Sequence, residues 1–166
     1  MTDEAEASAL RLRVLGRRLV LRAPAAWLPA LTVDWARCLD HADAAPSGTL
    51  LADDPVEVAL DPEVDAAAYR YAAQTHVTLA AIGAATGRLL MWHAGAVSTP
   101  DGRVCALVAP SGTGKTTAVR HLATHGYGYV TDETVGVTPA GVVRSYPKPL
   151  SVRTDAPVKG SLGPDD

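Results

Sequence analysis

The sequence predicts an α/β protein, with a mixed sheet built around a strand, a glycine-rich loop and a helix, and a small αβ lobe in front of it. Three observations carry that reading. Residues 109–116 read Ala-Pro-Ser-Gly-Thr-Gly-Lys-Thr, one substitution from the phosphate-binding pattern G-x-x-x-x-G-K-[ST]. They lie between the apolar run Val104–Val108 and a helix-like stretch from Thr116 to Thr124. Apolar and basic residues alternate on both sides of Gly16, as in a half-buried hairpin. Residues 89–98 and 103–108 are strand-like around Thr99-Pro100-Asp101-Gly102, an order that suits a turn closing with glycine.

The elements follow in order. Residues 1–9 are polar and acidic without periodicity, and a disordered tail is expected. Leu10, Leu12 and Val14 then share one face, and the pattern resumes through Leu19, Val20 and Leu21. Arg11, Arg13, Arg17, Arg18 and Arg22 are expected on a solvated sheet face. Leu28, Leu31, Trp35 and Leu39 recur three and four apart and predict an amphipathic helix, with Trp27 and Trp35 as core anchors. Pro46-Ser47-Gly48 marks a loop, and Val56–Leu60 a short strand, closing a lobe over residues 10–62.

Asp61 as N-cap and Pro62 at the first helical position open a helix through Val64, Ala68, Tyr71, Thr75, Thr78 and Ile82. Its small residues imply packing on most sides, and His76 within it reads as a core or boundary histidine. Residues 63–152 form the core domain. If Thr99 faces Arg103, His93 falls opposite Ala109, at the mouth of the loop. A second hairpin about Pro139-Ala140-Gly141 places Lys148 across from Asp132. Between the loop and this hairpin, a helix, a stop at Gly126 and a short strand suffice for a right-handed βαβ return. That return would bring Asp132 and Glu133 to a strand end beside the loop. Residues 153–166, rich in Pro, Gly and charge, are expected to be a flexible end.

The chemistry follows from the loop. A helix start after a strand directs free N–H groups at one point, where the helix dipole adds positive potential. The cradle comprises Ala109, Ser111, Gly112, Thr113, Gly114, Lys115, Thr116 and Thr117, with Lys115 facing solvent until it reaches the β- and γ-phosphates. Thr116 supplies a hydroxyl to Mg²⁺. Of Asp132 and Glu133, one can complete the magnesium shell and the other accept a proton from an attacking hydroxyl. Ala109 replaces the first glycine, which is tolerable where φ is negative and costly where it is positive.

Composition narrows the field. The 166 residues are 48% hydrophobic without one Phe, and the net charge of −3 gives no reason to expect nucleic acid or an anionic membrane. There is no long apolar run for a membrane span, and Met1 is followed by acidic rather than basic residues. Cys38 and Cys105 suggest a reduced, cytoplasmic protein, with Cys105 a buried, inert thiol in its strand.

His93-Ala94-Gly95-Ala96-Val97, the 109–116 loop and Gly126-Tyr127-Gly128-Tyr129-Val130-Thr131-Asp132-Glu133 together resemble the catalytic core of the HPr kinase/phosphorylase family. They are closer to its HPr-kinase-related relatives, including kinases that modify lasso-peptide precursors, and Tyr146-Pro147-Lys148-Pro149-Leu150 is similar to those relatives as well. The resemblance covers residues 89–150 and implies a mixed-sheet P-loop kinase core similar to that of phosphoenolpyruvate carboxykinases.

It also implies an ATP- and Mg²⁺-dependent phosphotransferase acting on a hydroxyl, serine being expected, of a peptide or small protein. His93 would sit beside the phosphates, Asp132 would be the catalytic base, and Lys115 would neutralise the γ-phosphate. Thr116 and Glu133 would serve the metal. Glu133 stands where HPr kinases carry a second aspartate, and the Arg-Gly-rich segment and C-terminal helices of that family are not recognisable here. A fragment, a shortened paralogue and a subunit completed by another chain are therefore open readings. The alternative function is a non-catalytic nucleotide-binding sensor or partner subunit; GTP in place of ATP, and a homo-oligomer, also stay open.

Overall fold

The computed structural model describes residues 9–41, 54–65, 68–152 and 160–162. The N-terminal tail and the Pro46–Gly48 loop expected from sequence lie outside the described residues, apart from Ala9. The chain is a mixed α/β structure with three α-helices among the described residues, and no helix there is long and apolar enough to cross a membrane.

Strands β1 (Ala9–Val14) and β2 (Arg17–Arg22) form the expected antiparallel hairpin, with Val14 opposite Arg17. Its two turn residues, Leu15 and Gly16, have φ of 50° and 74°, the doubly left-handed turn that matches strand twist. Strand β3 (Val56–Ala59) adds to β2 in parallel. Helix α1 (Leu28–Asp34) is shorter than the periodicity suggests; a 3₁₀ turn, Ala36–Cys38, carries the stripe on toward Leu39. The arginine face is more than solvated. Arg13 and Arg18 both pair with Asp40, at 2.8 and 3.1 Å, and Arg17 is buried.

Helix α2 (Tyr69–Ala85) begins well after the position its cap signal marks. The Asp61 carboxylate does accept a backbone N–H, that of Glu63 at 2.9 Å, but this closes only a local turn. A helix needs a packed face to propagate, and here that face begins at Ala73. Ala73, Val77, Ala81 and Ala85, four apart, are fully buried, whereas Thr75, His76 and Leu79 are exposed. The helix is thus covered on one side rather than most, and His76 is a surface residue. The main core joins this stripe to Leu12, Leu19, Leu21, Leu31, Trp35 and Tyr146.

The second sheet is organised around β4 (Leu90–Ser98). On one edge β5 (Val104–Val108) pairs antiparallel, Ala94 opposite Val108, in the register expected from the turn. On the other edge two strands follow in succession: β6 (Gly128–Thr131) against Ala96–Ser98, and β7 (Thr134–Val137) against Leu90–His93. The chain steps outward between them at Asp132 and Glu133, while Ala94 N–H still donates to Glu133 C=O at 3.1 Å. Strand β8 (Val143–Arg144) pairs with β7, Gly136 opposite Arg144.

The βαβ return from β5 to β6 is therefore split, with antiparallel β4 between the two parallel strands, a detail the sequence reading did not include. The reason lies in burial. Ala94 to Val97 are buried on both faces of β4, as in a central strand, whereas β5 is an edge strand on which only Leu107 is half-buried. Cys105 is accordingly exposed, contrary to the buried thiol expected, and Cys38 is the buried one.

Helix α3 (Lys115–Ala123) lies against β4 so closely that a Cβ on Gly95 would stand 2.6 Å from Val119 Cγ2. In the segment expected to be flexible, β10 (Gly160–Leu162) pairs antiparallel with β9 (Leu150–Val152). The rest of that segment lies outside the described residues.

Candidate functional site

The glycine-rich loop leaves β5 at Val108 and ends where Gly114 N-caps α3. Gly112 and Gly114 take φ of 82° and 91°, which no L side chain adopts cheaply, although a Cβ at either would meet nothing within 4 Å. Leu15 is the single non-glycine residue of positive φ among the described residues, so Ala109 carries its Cβ without backbone strain. No side chain caps α3, and its first internal bond is Ala118 N–H to Gly114 C=O. The N–H groups of Lys115, Thr116 and Thr117 thus face outward at the positive end of the helix.

Lys115 is buried, not solvent-facing as expected. Its ammonium donates to Ala109 C=O at 2.7 Å and Pro110 C=O at 2.9 Å, carbonyls that the strand end leaves without ladder partners. Thr113 closes the loop from within, its hydroxyl donating to Pro110 C=O at 2.7 Å.

From the first turn of α3 the Thr116 hydroxyl donates to Asp132 Oδ2 at 3.3 Å. The other Asp132 oxygen accepts from the Tyr129 hydroxyl at 2.9 Å and faces the Lys148 ammonium at 3.0 Å. Lys148 also reaches Glu133 Oε2 at 3.2 Å. Asp132 is buried, whereas the Glu133 side chain is 36% exposed. Burial, and then the adjacent Asp132 charge, push the Tyr129 phenol well above its ordinary range, so it remains a donor. The Arg37 guanidinium lies over the Tyr129 ring, 5.7 Å from its centroid. Burial raises the nearby Cys38 thiol to about 12, so it is neutral and inert.

The loop, the start of α3 and the two acids line a cavity of about 490 Å³, a size ordinary for a small-molecule site. It brings together His93, Ser111, Gly112, Gly114, Lys115, Thr116, Thr117, Asp132 and Glu133, all expected from sequence. Ala109 and Thr113 shape the loop from behind instead of lining the cavity. Tyr71, Gln74 and Thr75 of α2 and Arg120 of α3 also line it; the sequence offers Tyr71 and Thr75 only as helix positions and gives none of the four a part in the site. Nor were Tyr129 and Lys148 given a role. For Lys148 the signal existed in the hairpin register, which set it opposite Asp132.

Among the described residues no group of three or more His, Cys, Asp or Glu is arranged to hold a metal ion. The donors that converge are Thr116 and Asp132, two hard oxygens. That set suits magnesium completed by phosphate and water oxygens, and does not suit a metal needing an all-protein cage. Compared with protein-family models, curated proteins and solved structures, the chain matches none.

Proposed function

We propose that the chain binds Mg·ATP at residues 109–117 and transfers the γ-phosphoryl group to a hydroxyl, serine being the expected acceptor, of a peptide or small protein. This is the activity of the HPr-kinase-like enzymes its sequence resembles. The contact that carries the reading is Thr116 hydroxyl to Asp132 carboxylate at 3.3 Å, beside an uncapped helix N-terminus. A glycine-rich turn serving only to connect a strand to a helix needs no buried carboxylate at that point. A phosphate site needs one to help hold the cation that accompanies the phosphates.

Each residue then has a task. The outward N–H groups of Lys115, Thr116 and Thr117 receive phosphate oxygens. Lys115 exchanges its two loop carbonyls for the β- and γ-phosphates. Thr116 and Asp132 fit a magnesium ion, which when bound neutralises phosphate charge. The geometry favours Glu133 rather than Asp132 as the base, reversing the division expected from the motif. Asp132 is buried and already meets Thr116, Tyr129 and Lys148, whereas Glu133 opens into the cavity. Glu133 takes the acceptor proton as the new O–P bond forms. The bond from the γ-phosphorus to the bridging oxygen breaks, and its electron pair leaves on ADP. His93, exposed at the cavity, contacts phosphate.

One observation favours a second reading, a nucleotide-dependent sensor without transfer. Lys148 already engages Glu133, so the carboxylate must leave that contact before it can meet an acceptor hydroxyl. Calorimetric titration with Mg·ATP, followed by incubation with γ-labelled ATP and serine-containing peptides, separates the two. Binding with labelled peptide supports the kinase, binding without label the sensor, and no binding removes both.

A further inference from the structure

We propose that Lys148 is a positioning residue that acts as a resident counter-ion: it keeps the acidic pair from capturing a bare divalent cation, so that metal is held only when it arrives with nucleotide. The proposal rests on the reading of this cavity as a Mg·nucleotide site.

The Lys148 side chain is fully buried, and its ammonium has three acceptors: Asp132 Oδ1 at 3.0 Å, Glu133 Oε2 at 3.2 Å and Pro149 C=O at 3.0 Å. An ammonium in the interior is costly unless paired this fully, and the fold alone could dispense with the whole charged pair in favour of apolar residues. Its backbone is tied down too. Lys148 N–H donates to Tyr146 C=O at 2.9 Å, and Lys148 C=O accepts from the Tyr129 hydroxyl at 3.0 Å. Tyr146 is itself fully buried, its N–H bonded to Val130 C=O and its hydroxyl 2.7 Å from Thr78 Oγ1. Pro147 and Pro149 on either side narrow the backbone further. The ammonium is therefore delivered to one place by rigid parts.

Two consequences follow at Asp132. Lys148 and Tyr129 together occupy Oδ1, which leaves Oδ2 to face Thr116, where metal is needed. Lys148 also places one positive charge between two negative ones. Without it, two adjacent carboxylates in a sheltered cleft would draw divalent cations by themselves. With it, the net charge is too small to hold a cation until phosphate oxygens add their own.

Mn²⁺ is the probe, with free Mn²⁺ read by its electron paramagnetic resonance signal. In the absence of nucleotide, Lys148→Met should bind Mn²⁺ about tenfold or more tightly than the wild-type chain. Its melting temperature should rise with added Mg²⁺ while that of the wild type does not. A folded Lys148→Met with wild-type Mn²⁺ affinity overturns the proposal. Where Lys148→Met alone fails to fold, Lys148→Met/Asp132→Asn, which removes both charges of the buried pair, should fold and show no gain in Mn²⁺ binding. A double variant no better folded than the single one would make Lys148 a packing residue and likewise overturn it. Failure of the wild type to bind Mg·ATP would sink the parent reading alone, since the Mn²⁺ comparison is made without nucleotide.

Discussion

Thr116 and Asp132 meet across 3.3 Å although they belong to different elements, the first turn of α3 and the step between β6 and β7. The contact joins a loop that can cradle phosphate to a carboxylate that can help hold its cation. If that is its use, Thr116→Val, which keeps the shape and removes the hydroxyl, should weaken Mg·ATP binding about tenfold and weaken metal-free ATP binding far less. Calorimetry with and without Mg²⁺ reads the difference, and equal losses in the two conditions would count against the assignment.

Lys115 bonds to its own loop, so its removal should be felt without any ligand. Lys115→Ala is expected to lose about 1–2 kcal/mol of stability, because two charge-assisted hydrogen bonds to Ala109 and Pro110 disappear. It should also lose the rise in melting temperature that ATP produces in the wild type. Thermal melts with and without ATP test both effects. An undiminished ATP shift in the variant would remove Lys115 from the phosphate site.

The acids should separate cleanly. Glu133→Gln is expected to abolish transfer while Mg·ATP still binds, and Asp132→Asn to weaken the magnesium dependence of binding as well as transfer. A Mg²⁺ titration beside a transfer assay checks each variant. The reverse outcome would restore Asp132 as base.

Gly95 has no room for a side chain. A methyl group there would stand 2.6 Å from Val119 Cγ2, and Val119 is buried, so α3 must lift from β4. Gly95→Ala is expected to cost about 1–3 kcal/mol in a denaturant melt. It should weaken nucleotide binding as well, since Thr116 rides on the displaced helix.

Alkaline pH should destabilise the fold. Burial raises Cys38 from an ordinary 9.0 to about 12 and pushes Tyr129 and Tyr146 well above 10.0. Each group holds its proton longer when folded, so its contribution is complete below the unfolded value and fades as pH climbs toward the folded one. Stability measured by denaturant should be level up to about pH 9 and fall above it. Cys38→Ala should delay the onset of that fall.

The legible parts of this chain were those where turn chemistry fixes pairing. Pro100-Asp101-Gly102 and Pro139-Ala140-Gly141 each set a register that brought a distant residue, His93 or Lys148, to the right place. The Asp61 cap misled because a cap supplies one hydrogen bond, while the helix waits for the stripe that begins at Ala73. The split crossover was hidden because an apolar run such as Val104–Val108 reads alike at a sheet edge and at its centre. Its neighbour held the better clue: Ala94-Gly95-Ala96-Val97 is small or apolar without interruption, as a strand covered on both faces must be. Lys148 carried no recognisable chemistry by itself, since a single lysine in a loop is ordinarily a surface charge.

Leu15 bears on how this protein comes apart. Its left-handed φ of 50° costs about 1–2 kcal/mol, yet the side chain is fully buried, which returns about 1.5–3 kcal/mol. That burial is made against the other sheet: a Cβ on Gly136 would fall 3.1 Å from Leu15 Cδ2, and Leu15 N–H bonds to Ser145 C=O at 3.3 Å. The tip of the first hairpin is thus a peg seated in the hairpin that supports the acids. Drawing it out leaves a strained turn in one half of the molecule and a void in the other, so neither half gains by loosening alone. The two sheets should melt as one cooperative unit, and amide hydrogens on both should exchange through the same global opening.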